Sequence, residues 1–231
     1  MLRLVCLLTF LLLVPIGPLA YAQEGAFECQ SKVSDSQILR KVQQAYDKVS
    51  SLKASFSQAS YLKALDFYEH SRGEMWFERP GKMRWNYVHP EQQEFLIRDS
   101  DFWFYQAADQ QVTVDSFNKV VISELPIAFL MGMGNLQEDF KVDSLCRNPN
   151  GLLMTMLPMR EEEQAEGGLA QLKLLVNADT YRPVGAEVLH QGGNRTGILL
   201  SQLEFNSSLK DAIFEADFPK GIDVIDRRVA Q

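Results

Sequence analysis

The 231-residue chain is poor in the side chains that most catalytic and metal chemistry requires. It has three histidines and three cysteines. His70, His89 and His190 lie far apart with no ligand spacing around them. Neither Cys29 nor Cys146 has a neighbouring Cys or His, so no zinc site is expected. There is no nucleophile elbow, no phosphate-cradling glycine loop followed by Lys-Ser/Thr, and no metalloprotease helix motif. The glycine-rich run Gly192-Gly193-Asn194 reads as a hairpin turn, and Glu161 to Glu166 as a solvated loop rather than a carboxylate site. No enzyme activity, metal or cofactor is expected. Basic charge is also in deficit, with 23 Lys+Arg against 30 Asp+Glu and a net charge of −7. That excludes nucleic acid as a partner, because phosphate counterions are displaced by a cationic surface. It also disfavours electrostatic docking to anionic lipid. Repeats, low-complexity tracts and linkers are absent.

Long apolar runs are scarce too, with one at the N-terminus. Arg3 precedes Leu4 to Val14, which is broken only by Thr9. Pro15, Gly17 and Pro18 follow, then Ala20-Tyr21-Ala22 in a small-x-small pattern. This predicts an export signal cleaved after Ala22 (residues 1–22), with 23–231 as a single mature domain of charge −8. The competing reading is a retained anchor, but the run is short of the roughly 20 residues that span a bilayer. Glu28 before Cys29 argues against a lipidated cysteine. Export leaves Cys29 and Cys146, an even pair in an oxidising compartment. They are candidates for a disulfide, the alternative being two unrelated thiols.

The remaining 46% hydrophobic and 23% charged composition is that of a globular protein. Ser34 and Gln37 stand at capping-box spacing, and Ile38, Val42, Ala45, Tyr46 and Val49 recur at helical spacing. From Leu52 the period becomes two. Strands are predicted over residues 54–62, 73–78, 82–88, 94–98, 102–106, 111–117, 140–146, 151–157, 169–176, 184–190 and 196–205. Pro126 opens a short, almost wholly apolar helix over Ile127 to Met133, and another short helix is expected at Leu209 to Phe214. The class is therefore mainly β with a few helices, about eleven strands that must curl or close.

Gly73-Glu74-Met75-Trp76-Phe77-Glu78-Arg79-Pro80-Gly81-Lys82-Met83-Arg84-Trp85-Asn86-Tyr87 resembles the signature of the LolA family, the periplasmic carriers of outer-membrane lipoproteins. The likeness continues through Ile97 to Tyr105, through Leu125-Pro126-Ile127-Ala128-Phe129-Leu130, and through Asn206, Phe214, Phe218, Pro219, Gly221, Asp223 and Val224. Ser100 departs from it, where the family often has Gly after Asp. The resemblance implies a curved antiparallel half-barrel with a helical lid over an apolar cavity for acyl chains. It also implies cargo taken from an ATP-driven inner-membrane release complex and delivered to an outer-membrane acceptor. Arg79 matches the family arginine that holds the lid closed.

The residue chemistry is compatible with that picture. An acyl cavity needs no catalytic group, and methionine and aromatic side chains adapt to irregular ligands. Met75, Phe77, Met83, Trp85, Leu96 and Trp103 are candidate lining residues on the strands, with Tyr87 and Tyr105 beside them. Ile127 and Leu130 are candidates from the apolar helix. Which face of each strand points inward stays open at this level, and plain core packing is the alternative for every one of them. A monomer is expected. The competing functions are the same fold with other lipids, an exported sensor or scaffold whose apolar groove takes a protein segment, and an unrecognised hydrolase.

Overall fold

A computed structural model describes residues 27–31, 36–117, 135–159 and 168–228. The N-terminal apolar run with its cleavage site, Ser34-Asp35, the segment Ile127 to Met133 and the acidic stretch Glu161 to Glu166 lie outside the described residues.

The strands are β1 (Glu28–Ser31), β2 (Ser51–Leu62), β3 (Phe67–Glu78), β4 (Lys82–His89), β5 (Gln93–Arg98), β6 (Asp101–Gln106) and β7 (Gln111–Ser116). They continue as β8 (Phe140–Arg147), β9 (Gly151–Pro158), β10 (Leu169–Asn177), β11 (Pro183–His190), β12 (Arg195–Phe205) and β13 (Asp223–Asp226). Two helices, α1 (Ser36–Asp47) and the single turn α2 (Leu136–Asp139), accompany them. All thirteen strands form one open, curved sheet in the order β1-β8-β9-β10-β11-β12-β2-β3-β4-β5-β6-β7-β13. Among the described strands only the β7–β13 pairing is parallel.

The eleven expected strands are all present, and two four-residue strands are added at the two sheet edges. Both additions are too short and too polar to give an alternating pattern. β3 also begins six residues earlier than the expected Gly73. Its first four residues are exposed on both faces, so no buried side marks them in the sequence. The expected C-terminal helix is a 3₁₀ turn, Asp211–Phe214.

Local chemistry sets the connections. Gly81 and Asp99 adopt positive φ, +70° and +57°, at the β3–β4 and β5–β6 turns. Asn135 caps α2, its side-chain oxygen accepting the Gln137 amide at 3.1 Å. In α1 the buried residues Ile38, Leu39, Val42 and Tyr46 form one stripe. That stripe joins the apolar cluster on one face of the sheet, here called the inner face.

Cross-strand partners share a face, so the register divides the sheet into two apolar layers. The inner layer runs from β8 through β12 to β2–β5 and includes Met75, Met83, Met154 and Met156. A smaller outer layer comprises Leu96, Tyr105, Val112, Val114 and Phe214, all buried but separate from the inner cluster. The C-terminal segment covers it. The Arg84 guanidinium donates to the Ile213 carbonyl at 2.7 Å, and the Tyr105 and Phe218 rings are 5.4 Å apart.

Candidate functional site: the inner aromatic face

Two cross-strand rows build the inner face. Met75 lies opposite Trp85, Trp85 opposite Phe95, and Phe95 opposite Phe104. Beside that row, Phe77, Met83, Ile97 and Phe102 follow in the same way. The rings interlock. Phe56 stacks on Trp85 at 4.3 Å between centroids and meets Tyr87 edge-on at 4.9 Å. Tyr87 meets Phe95 at 5.8 Å, and Phe95 stacks on Phe104 at 4.4 Å. An apolar, polarisable surface thus crosses five strands, with Trp85 and Met75 fully buried and Phe95, Phe102 and Phe104 half-buried.

Gly73 makes this packing possible. A β-carbon there would lie 1.9 Å from the Asn86 carbonyl oxygen and 2.8 Å from the Phe56 ring. The missing side chain is the space that the Phe56 ring and the β4 backbone occupy.

Polar groups in the buried part of this face are few and neutral, and the charged Glu69 lies at its exposed end. The Tyr87 hydroxyl donates to Gln58 at 2.9 Å, and burial pushes its pKa up to about 12, against the opposing effect of its hydrogen-bond partners. Burial likewise raises the Tyr46 phenol on α1. Both therefore stay protonated at neutral pH. Among the described residues the one buried charged side chain, Glu94, belongs to the outer face, where Arg84 pairs with it at 2.7 Å. The buried part of the inner face therefore offers no charged anchor and a continuous surface for an apolar ligand.

One end of the face opens into a cavity of about 230 Å³ lined by Phe77, Arg79, Pro80, Met83, Ile97 and Phe117, with Gly81 and Lys82 at the turn. Arg79 stands at its rim. The Arg79 Nε donates to the Val49 carbonyl at 3.0 Å, and its guanidinium lies 5.6 Å from the centre of the Phe77 ring. Its backbone amide also donates to the Ser50 carbonyl at 2.8 Å. The β3–β4 turn is thus fastened to the chain just beyond α1.

Of the sequence candidates, Met75, Phe77, Met83 and Trp85 come together on the inner face. Leu96 and Trp103 do not join them. They lie opposite Arg84 and Leu96 respectively, which puts both on the outer face with Tyr105. The physical reason is that β5 and β6 carry large apolar side chains on both faces, because the C-terminal segment buries the outer one. Ile127 and Leu130 lie outside the described residues. Cys29 and Cys146 are cross-strand partners in β1 and β8, joined by a disulfide. Sequence reasoning missed Phe56, Phe95, Ile97, Phe102, Phe104 and Gly73. The signal available for four of them was the period of two counted outward from Met83 and Trp85 through the β4–β5–β6 turns.

The sequence profile of a family described as "Outer membrane lipoprotein carrier protein LolA" matches residues 47–217. An outer-membrane lipoprotein carrier protein of Alkalilimnicola ehrlichii is 31% identical over 182 residues, covering 78% of this chain and 80% of the relative. One of Nitrosomonas europaea is 28% identical over 185 residues, covering 78% and 84%. Among solved structures, an uncharacterized conserved protein from Thermus thermophilus superposes with a TM-score of 0.55 at 15% identity, covering 84% of this chain and all of that one. A crystal structure of MucB gives 0.50 at 13% identity, covering 82% and 64%. These two share the fold.

Proposed function

Because the chain belongs to the LolA family of outer membrane lipoprotein carrier proteins, we propose that it binds lipoprotein acyl chains on its inner aromatic face and carries them to the outer membrane. The observation that supports this reading is the face itself: five strands of Met, Phe, Trp and Tyr with no buried charge among the described residues. An acyl chain needs surface, not polar anchors. Each buried methylene contributes about 0.8 kcal/mol, so one 16-carbon chain gains on the order of 10 kcal/mol gross. The net affinity is smaller, because cargo displaces contacts the face already makes, including those of α1. That offset lets cargo be handed on without an energy source in the carrier.

In this reading the chain is exported to the periplasm by its N-terminal signal, cleaved after Ala22, and works as a monomer. It receives acylated lipoproteins from an ATP-driven inner-membrane release complex and passes them to an outer-membrane acceptor. Arg79 controls closure by fastening the β3–β4 turn to the end of the α1 segment through the Val49 carbonyl. Arg79→Leu removes that donor. The expected variant accepts cargo and releases it poorly in a transfer assay with purified acceptor, and normal delivery would remove Arg79 from this role.

The deciding experiment is isolation of the exported protein from cells and identification of what is bound by mass spectrometry. Triacylated lipoprotein is expected. Free fatty acid or glycolipid alone would redirect the cargo assignment, and a bound protein segment without lipid would refute the carrier reading.

A further inference from the structure

Four of the seven large exposed hydrophobic residues among the described residues gather at one end of the sheet. Leu65, Phe67 and Tyr68 are 72%, 52% and 50% exposed at the β2–β3 connection, and Val88 is 58% exposed at the end of β4. This end is opposite to the Arg79 rim, because β3 runs from Phe67 at the tip to Glu78 beside the turn.

The tip is a projecting, braced hairpin. β4 pairs with β3 only from Arg72 onward, so residues Phe67 to Ser71 extend beyond it. At about 3.3 Å per residue that overhang is roughly 16 Å. The Tyr61 hydroxyl donates to Asp66 at 2.8 Å across the connection. The Arg195 guanidinium lies 5.1 Å from the Tyr61 ring centre and donates to the Tyr68 hydroxyl at 2.9 Å. The Lys63 amide donates to Asn194 at 3.0 Å, in the β11–β12 turn. The apolar side chains are therefore held outward by a fixed base.

We propose that this hairpin tip dips into the surface of a phospholipid bilayer. Three observations select that occupant. The apolar residues at the tip, Leu65, Phe67 and Tyr68, are far fewer than the roughly 20–30 residues that one side of a stable protein–protein interface uses. A fluid lipid surface can close around the sides that the β11–β12 turn leaves open. The side chains are those of a membrane interface, with Leu65 and Phe67 at the apex and amphipathic Tyr68 behind them. Lys63 and Arg195 complete the ring at headgroup level. The acids Asp66 and Glu69 balance these two cations, so the contact is apolar rather than electrostatic and does not need anionic lipid. The unpaired ladder edge of Phe67 to Ser71 limits insertion to the hydrated headgroup zone, because backbone polar groups stay satisfied there. The inference is independent of what the inner face carries.

The test uses the exported protein and vesicles of phosphatidylcholine, with and without anionic phosphatidylglycerol. The wild-type chain is expected to co-sediment weakly with both. The triple variant L65S/F67S/Y68S is expected to lose at least tenfold in partitioning while retaining its circular dichroism and melting temperature. Val224→Ser removes an equally exposed apolar residue, 63% exposed, at the far sheet edge and is expected to change nothing. Phe67→Trp should shift its fluorescence to the blue and be quenched by brominated lipid. Equal partitioning of wild type and triple variant, or binding only to anionic vesicles, overturns the proposal. So does loss of cargo transfer by the triple variant with vesicle binding intact, which would assign the tip to a protein partner.

Discussion

Replacing Gly73 by alanine tests the packing of the inner face at its tightest point. The new β-carbon would stand 1.9 Å from the Asn86 carbonyl oxygen and 2.8 Å from the Phe56 ring. The ring could yield, but the carbonyl belongs to the β4 backbone and cannot move without disturbing its pairing with β3 or β5. Overpacking of a core costs about 1–3 kcal/mol, and a clash with backbone belongs at the top of that range. Alanine regains about 0.5–1 kcal/mol through the lower entropy of its unfolded chain. The net expectation is a loss of roughly 2 kcal/mol, which for a domain of this size lowers the melting temperature by roughly 4–8 °C. Thermal and urea unfolding with the disulfide intact measures it, with the urea slope unchanged. Gly197→Ala is the control, since its β-carbon meets nothing nearer than the Ala59 carbonyl at 4.0 Å. A Gly73→Ala protein as stable as wild type would refute the argument, and so would an equal loss in Gly197→Ala.

Three other outcomes follow from single interactions of the fold. Arg84→Met leaves the Glu94 carboxylate buried beside the outer layer without its partner and is expected to cost about 3–5 kcal/mol in urea unfolding. The double variant R84M/E94L should recover most of that loss, and failure to recover would mean Arg84 acts mainly through the Ile213 carbonyl. Cys146→Ser opens a loop closed over 117 residues and should destabilise by about 2–5 kcal/mol, with wild type falling to the same level under reductant. At the other edge, the Arg228 side chain followed by its amide holds the Asp226 carboxyl down at about 2. A depressed carboxyl pKa stabilises above the ordinary aspartate range and loses that contribution as pH falls toward 2, so the Asp226–Arg228 contact at the end of β13 should survive mild acid and be lost only near that pH. Titration by NMR, with Arg228→Ala returning Asp226 to its ordinary value, checks both the sign and the cause.

The strands were legible where one face is buried and the other wet. Met83, Trp85 and Tyr87 alternate with Lys82, Arg84 and Asn86, and that alternation survives in the burial of β4. It failed in β5 and β6, where Phe95, Leu96 and Ile97 or Phe102, Trp103 and Phe104 run without a polar interval. Those strands are covered twice, by the inner cluster and by the C-terminal segment. The second covering comes from residues more than a hundred positions away, which a local period cannot register. Leu96 and Trp103 lie on the outer face for this reason. β1 and β13 carry no readable pattern because each is only four residues long, and their placement follows from edge pairing alone. Gly73 could be seen as a signature glycine but not as the space for a ring, since Phe56 reaches it from another strand.

The bond between Cys29 and Cys146 also imposes an order on biosynthesis. Its first half leaves the ribosome early and its second only after 117 further residues. β1 can therefore be bonded to β8 only when the middle of the chain has been made, whatever else has already folded. Until then β1 has no partner strand, and its row of backbone donors and acceptors is the kind of template on which nascent chains join one another. An oxidant acting on the nearly finished chain is thus what locks that edge covalently, and without it β1 is held to β8 by strand pairing alone.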